Sequence, residues 1–146
     1  MYIAQTQISF ECAHRLYHVN TYSSECRDNV HGHSYKVTIK VGRNELNDAG
    51  MVMDFKLLKT IIKEVIEDKY DHACVIRKVD PLAEHILREC KKVILVDENP
   101  TAEWMAKTFH ETISKALVEE DTKLQVLSVA VQETENNIAI YSLNNN

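Results

Sequence analysis

The sequence predicts an α+β domain: a four-stranded antiparallel sheet in ββααββ order with two helices on one face. Segments near both ends alternate apolar and polar residues with period two, as half-buried strands do, and two interior segments repeat at helical spacing. Strand runs that flank a helix run, instead of alternating with it, favour α+β over a parallel βαβ sheet.

Size and charge narrow the function classes. A chain of 146 residues with 45% hydrophobic content suits one domain, 1–146, with its own core. A formal net charge of −5 argues against nucleic-acid binding as the main activity, while leaving room for a local basic pocket. No basic-plus-apolar leader opens the sequence and no apolar run approaches a membrane span, so the expected setting is soluble and cytoplasmic. Cys12, Cys26, Cys74 and Cys90 lack C-x-x-C spacing and are expected as free thiols, with Cys12 and Cys90 packing in the core.

In chain order, the first strand covers about Tyr2 to Ala13, with Ile8, Phe10, Cys12 and His14 sharing one parity. An aperiodic loop from Arg15 to Val30 follows, of a length that often marks a functional segment. The second strand, about Ser34 to Arg43, ends in the turn-forming run Asn44 to Gly50. Asp54 is a helix N-cap, and Leu57, Leu58, Ile61, Ile62, Val65 and Ile66 form the buried stripe of a helix from 55 to about 69. Leu82 to Cys90 suits a short helix and Val93 to Val96 a short strand. Thr101 is placed to cap a second long helix, whose stripe is Trp104, Met105, Phe109, Ile113, Ala116 and Leu117, with His110 beside it as a satisfied or exposed residue. Strands at about Gln125 to Thr134 and Ile138 to Leu143 close the sheet around an Asn136-Asn137 turn, and the asparagines at 144–146 are expected to fray. A sheet with one uncovered face and open edges predicts oligomerisation.

The chemistry gathers around Cys26-Arg27-Asp28-Asn29-Val30-His31-Gly32-His33-Ser34-Tyr35. On a strand, His31 and His33 share a face, where both imidazoles can reach one ion; the bland alternative is a pair of loop histidines beside a turn glycine. Pairing the first two strands brings in His14 as a third candidate. Three neutral imidazoles with an open fourth position are the pattern of catalytic zinc, whereas structural zinc usually closes its shell with cysteines. Cys26 lies in a polar loop beside Arg27, a setting that favours the nucleophilic thiolate. Asp71-His72 reads either as a helix C-cap with a surface histidine or as an acid-base group near neutral pH. Glu133, at a strand end, has no role that the sequence alone assigns.

Phe10-x-Cys12-Ala13-His14-Arg15-Leu16, Cys26 with His31-Gly32-His33-x-Tyr35, Gly50-Met51-Val52-Met53-Asp54-Phe55, Asp71-His72, Pro100-Thr101-Ala102-Glu103 and Glu133-Thr134 together resemble the 6-pyruvoyl-tetrahydropterin synthase family, including its bacterial 6-carboxytetrahydropterin synthase branch. The match runs in order along nearly the whole chain. It implies the tunnelling fold, in which subunits join their sheets into a barrel as trimers or hexamers with interfacial active sites. It also implies Zn2+ on His14, His31 and His33, a catalytic thiol at Cys26, an acid-base pair at Asp71 and His72 from a neighbouring subunit, and pterin contacts at Glu133 and Thr101. Arg15 and Arg27 are candidates for triphosphate contacts.

The implied substrate is 7,8-dihydroneopterin triphosphate. The brevity of the chain favours the 6-carboxy product, with loss of triphosphate and acetaldehyde, on a deazapurine route such as queuosine biosynthesis. The alternatives are the 6-pyruvoyl product of the tetrahydrobiopterin route, which the Glu133 to Tyr141 ending resembles, and a relative that binds zinc and pterin without catalysis. The chain departs from the family in having four residues between Cys26 and His31, in Ala102, and in a longer stretch between His72 and Pro100.

Overall fold

Strands β1 (Tyr2–His14) and β2 (His31–Arg43) form the spine of the fold, pairing antiparallel from Tyr2 opposite Arg43 to His14 opposite His31. The computed structural model describes residues 1–21 and 23–143, so the expected fraying of 144–146 lies outside the described residues. Along β1, Ala4, Thr6, Ile8, Phe10, Cys12 and His14 are buried while most of the intervening residues are exposed, the outcome of period-two alternation on a sheet covered on one side. The loop after β1 contains a short helix, α1 (Ser24–Asp28), which the sequence does not announce because it buries no residue and so carries no apolar stripe.

After β2, the Asn47 side chain accepts hydrogen bonds from the Ala49 and Met51 amides, and Gly50 takes a φ of 73°, so the turn chemistry is realised. Asp54 then caps α2 (Phe55–Ile62), accepting from the Lys56 and Leu57 amides. The helix continues through a π-helical turn (Lys63–Glu67) into α3 (Asp68–Tyr70), burying Leu58, Ile61, Ile62 and Ile66. Leu57, expected in the stripe, is 42% exposed because it sits one residue, about 100°, off that face.

Among the described residues the sheet has six strands, not four, in the order β4-β3-β1-β2-β5-β6. The additions are β3 (Ala73–Arg77) and β4 (Val93–Val96), parallel to β1 and to each other. Ala73, Cys74, Val75 and Ile76 are all buried, so β3 is a continuous apolar run without the alternation that marks a half-exposed strand. Its second face is covered by α4 (Ala83–Glu89), where Cys74, Ile76, Ala83 and Ile86 make a separate small core. The helices therefore do not all lie on one side.

Helix α5 (Ala102–Glu120) packs on the main core through Met105, Phe109, Ile113 and Leu117, with the Phe109 ring meeting Phe10 and Tyr70 at 6.0 and 4.8 Å. Each such burial contributes roughly 1.5–3 kcal/mol. His110 is buried and satisfied, with Nε2 at 2.9 Å from the Val126 carbonyl. Strands β5 (Gln125–Thr134) and β6 (Asn137–Ser142) turn at Glu135-Asn136, one residue earlier than the sequence suggests. A bulge at Glu133, where the register shifts between Gln132 and Thr134, accounts for the offset.

All four cysteines are free; Cys12 and Cys74 are buried, and Cys26 is exposed. Cys90, expected in the core, is exposed because it follows the last turn of α4 in extended backbone. Among the described residues no helix is long and apolar enough to cross a membrane.

Candidate metal centre and active site

The β1–β2 register brings three histidines to one end of the sheet. His14 and His31 stand opposite each other and His33 lies opposite Cys12, so alternation turns all three side chains towards the same face. One ring nitrogen from each converges, the set lying within 4.8 Å, and His14 Nε2 is 3.0 Å from His31 Nε2.

Backbone carbonyls fix which nitrogen faces inward. His14 Nδ1 lies 2.7 Å from the Pro100 carbonyl oxygen and His31 Nδ1 lies 3.1 Å from that of Asn29. A carbonyl only accepts, so each Nδ1 carries the hydrogen and each Nε2 presents a lone pair. Two lone pairs facing each other at 3.0 Å repel unless a cation lies between them, and the donor set therefore fits a metal ion. Burial, reinforced by the neighbouring imidazoles, lowers His14 to about 4, which keeps it neutral as a metal ligand must be. His33 is also lowered by burial, against the opposing pull of the Glu133 carboxylate.

That carboxylate overlooks the cluster. Glu133 Oε1 lies 3.6 Å from both His14 Nε2 and His33 Nε2, carried there by the bulge in β5. Tyr35, fully buried below, has its hydroxyl 3.4 Å from His14 Nδ1 and is pushed up by burial and by the Glu133 charge. Thr101 caps α5, its hydroxyl accepting from the Trp104 amide at 3.2 Å, and the carbonyl just before it, of Pro100, is the one that orients His14.

Asp71 and His72 occupy a different surface. They border a cleft of about 650 Å³ together with Glu11, Ser34, Lys36 and the Glu133 segment. Glu11 and Ser34 alternate against Cys12 and His33, so this cleft opens on the sheet face opposite the histidine cluster. Asp71 Oδ1 accepts from the Glu11 amide at 3.0 Å, and His72, with φ 57° and an exposed side chain, has Nε2 3.8 Å from Asp71 Oδ2.

Cys26 is exposed on α1. Its neighbour Arg27 turns a two-pronged guanidinium onto Asp28, Nε to Oδ1 at 2.8 Å and Nη2 to Oδ2 at 2.9 Å. Both side chains are exposed, so solvent screens this pair. Arg15 is committed elsewhere, to the fully buried carboxylate of Asp80, and ties the end of β1 to the turn before α4. Both arginines nevertheless line one cleft of about 490 Å³, with Tyr17, His18 and Asn20. Asn99 braces this loop by exchanging hydrogen bonds with both backbone groups of Tyr17 at 2.8 Å. Neither Asp80 nor Asn99 carried a sequence signal; each is an ordinary polar residue in a turn until its partner is known.

The model of the family described as 6-pyruvoyl tetrahydropterin synthase matches residues 3–144. The chain belongs to that family. Among curated members, the 6-carboxy-5,6,7,8-tetrahydropterin synthase of Aquifex aeolicus is 32% identical over 90% of this chain and 92% of its own, and that of Rickettsia conorii is 29% identical over 89% and 92%. Among solved structures, the 6-pyruvoyl tetrahydropterin synthase of Caenorhabditis elegans superposes with a TM-score of 0.67 at 26% identity, covering 98% of this chain and 96% of that one. An uncharacterized protein of Wolinella succinogenes has the same fold, with a TM-score of 0.79 at 22% identity over 99% of this chain and all of that one. The α+β class and the tunnelling-fold family expected from the sequence therefore hold, with two parallel strands added at one edge of the sheet.

Proposed function

We propose that this tetrahydropterin synthase is a zinc-dependent lyase that converts 7,8-dihydroneopterin triphosphate and one water to 6-carboxy-5,6,7,8-tetrahydropterin, releasing triphosphate and acetaldehyde, on a deazapurine route such as queuosine biosynthesis. The observation that carries this is the convergence of three imidazoles, two of them locked by carbonyls into the metal-binding tautomer, beneath the Glu133 carboxylate. The names of the Aquifex and Rickettsia relatives favour the 6-carboxy branch.

Zinc held by His14, His31 and His33 would supply a Lewis acid for the negative charge that develops on the substrate side chain. Glu133 offers two acceptor oxygens to adjacent N–H groups of a pterin ring, a bidentate contact that fixes orientation. Thr101, next in sequence to the Pro100 carbonyl that meets His14, keeps one acceptor lone pair and its hydroxyl hydrogen for the ring. Cys26, as thiolate, moves the side-chain proton, and Arg27 meets the triphosphate once released from Asp28. His72, held beside Asp71, is the second acid-base group.

His72 and Asp71 border the face opposite their own chain's histidines, which supports their serving a neighbouring copy in a trimer or hexamer. The exposed Ile3, Ile138 and Ile140 and the free edges of β4 and β6 support the same assembly. Four free cysteines suit a reducing, cytoplasmic compartment.

Incubation of the zinc-loaded protein with 7,8-dihydroneopterin triphosphate, followed by mass spectrometry, tests the proposal. A 6-carboxy pterin with acetaldehyde is expected. A 6-pyruvoyl pterin would instead place the chain with the Caenorhabditis elegans enzyme, and unconverted substrate would favour a zinc- and pterin-binding relative.

A further inference from the structure

We propose that Lys92 is a positioning residue for the Asp71–His72 pair, clamping the end of the α2–α3 helix so that His72 is held in a left-handed backbone conformation. This rests on the acid-base role given to that pair above.

His72 has φ 57°, a left-handed conformation that costs a residue with a Cβ some steric strain and that its hydrogen bonds here hold in place. Part of the constraint comes from β1. The His72 amide donates to the Glu11 carbonyl at 2.7 Å, and Asp71 Oδ1 accepts from the Glu11 amide at 3.0 Å. The rest comes from Lys92, whose ammonium donates to the Asp68 carbonyl at 2.8 Å and to the Asp71 carbonyl at 2.5 Å.

Those carbonyls are among the orphan acceptors that any helix leaves at its C-terminus, where a cation is also favoured by the helix dipole. The clamp is itself anchored, because the Lys92 carbonyl accepts from the Cys74 amide at 3.0 Å, at the head of the parallel pair β3 and β4. The Asp71–His72 peptide is thus gripped from two elements at once, β1 on one side and the start of β4 on the other. Losing Lys92 would return both carbonyls to water and free the 71–72 peptide to leave its strained conformation. Lys92 sits in a Lys91-Lys92 doublet that reads as solvated surface, yet only Lys91 is exposed; Lys92 is half-buried.

The test compares Lys92→Met, Lys92→Arg, His72→Ala and the Lys92→Met/His72→Ala double variant of the zinc-loaded protein, with 7,8-dihydroneopterin triphosphate as substrate. Lys92→Met is expected to keep its zinc and its KM while losing on the order of tenfold in kcat, as a small misplacement of a reacting group does. Lys92→Arg, which retains charge and reach, should recover most of the loss, and Lys92→Met should cost nothing further once His72 is gone. Should Lys92→Met fail to fold, Lys92→Gln, still able to donate to one carbonyl, is expected to be intermediate in kcat.

A wild-type kcat in Lys92→Met beside an impaired His72→Ala would overturn the inference about Lys92 alone. So would an equal loss in the His72→Ala background, or a loss confined to KM or zinc content. A His72→Ala protein at full rate would instead remove the role of the pair itself, and the inference with it.

Discussion

The histidine cluster and the Cys26 helix are a few residues apart in sequence and opposite in physical character. The cluster is built into the fold: His14 is buried, its tautomer and that of His31 are set by backbone carbonyls, and paired strands fix the spacing. The Cys26 helix buries nothing, and its side-chain contacts are local, Ser23 and Ser24 to Glu25 and Arg27 to Asp28. A metal site must be organised before its ion arrives, because a misplaced ligand costs affinity. A group that moves a proton needs its exact placement only once substrate and neighbouring subunit are present. On the proposed function, rigidity goes to the candidate metal ligands, while the thiol is left for substrate and neighbouring subunit to place.

Substitutions can separate the two regions. The largest effect is expected at the rigid one: His31→Ala should abolish stoichiometric zinc and with it turnover, measured by elemental analysis and product formation. Full zinc content in that variant would break the comparison at its foundation. Next is Cys26→Ala, expected to lower kcat by roughly 10²–10⁴ while zinc content is kept and stability changes by no more than about 0.5 kcal/mol. A large fall in melting temperature would show that the thiol belongs to the packed structure after all.

The pH dependence of the metal-free protein sharpens the contrast. Burial takes His14 from 6.5 to about 4, so as pH falls the unfolded chain binds the proton first. Stability should be complete above about 6.5 and lost progressively towards 4, by on the order of 3 kcal/mol. Urea titrations across that window measure it, and a His14→Asn protein should show a flatter profile. The smallest effect is expected for Thr101→Ala, which removes the α5 cap and about 1 kcal/mol. Because the adjacent Pro100 carbonyl orients His14, zinc affinity should also weaken, by up to about tenfold.

Much of this cluster could be read from the sequence because its histidines lie on strands. Period-two alternation with antiparallel pairing is enough to bring His14 to His31 and His33, and the observed register does so. The helix caps at Asp54 and Thr101 were legible for a similar reason, since each bonds within three residues of itself. What stayed hidden depends on distant backbone. The Pro100 carbonyl that fixes His14, the Asp80 carboxylate that claims Arg15, and the Lys92 clamp on Asp71 are made by residues whose local sequence has no distinguishing pattern. Strand β3 was hidden by its burial on both faces, which erases alternation. The face on which Asp71 and His72 lie follows from their bonds to Glu11, and adjacency in sequence leaves it open.

That placement leads to the most direct test, since the proposed function has the candidate metal ligands of one copy working with the Asp71–His72 pair of another. Co-expression of His31→Ala and His72→Ala chains under separate tags, with purification of mixed oligomers, provides the material for measuring turnover. Activity that neither parent shows is predicted, because some sites would combine an intact histidine cluster with an intact Asp71–His72 pair. Mixed oligomers no more active than the parents would contradict an active site shared between subunits.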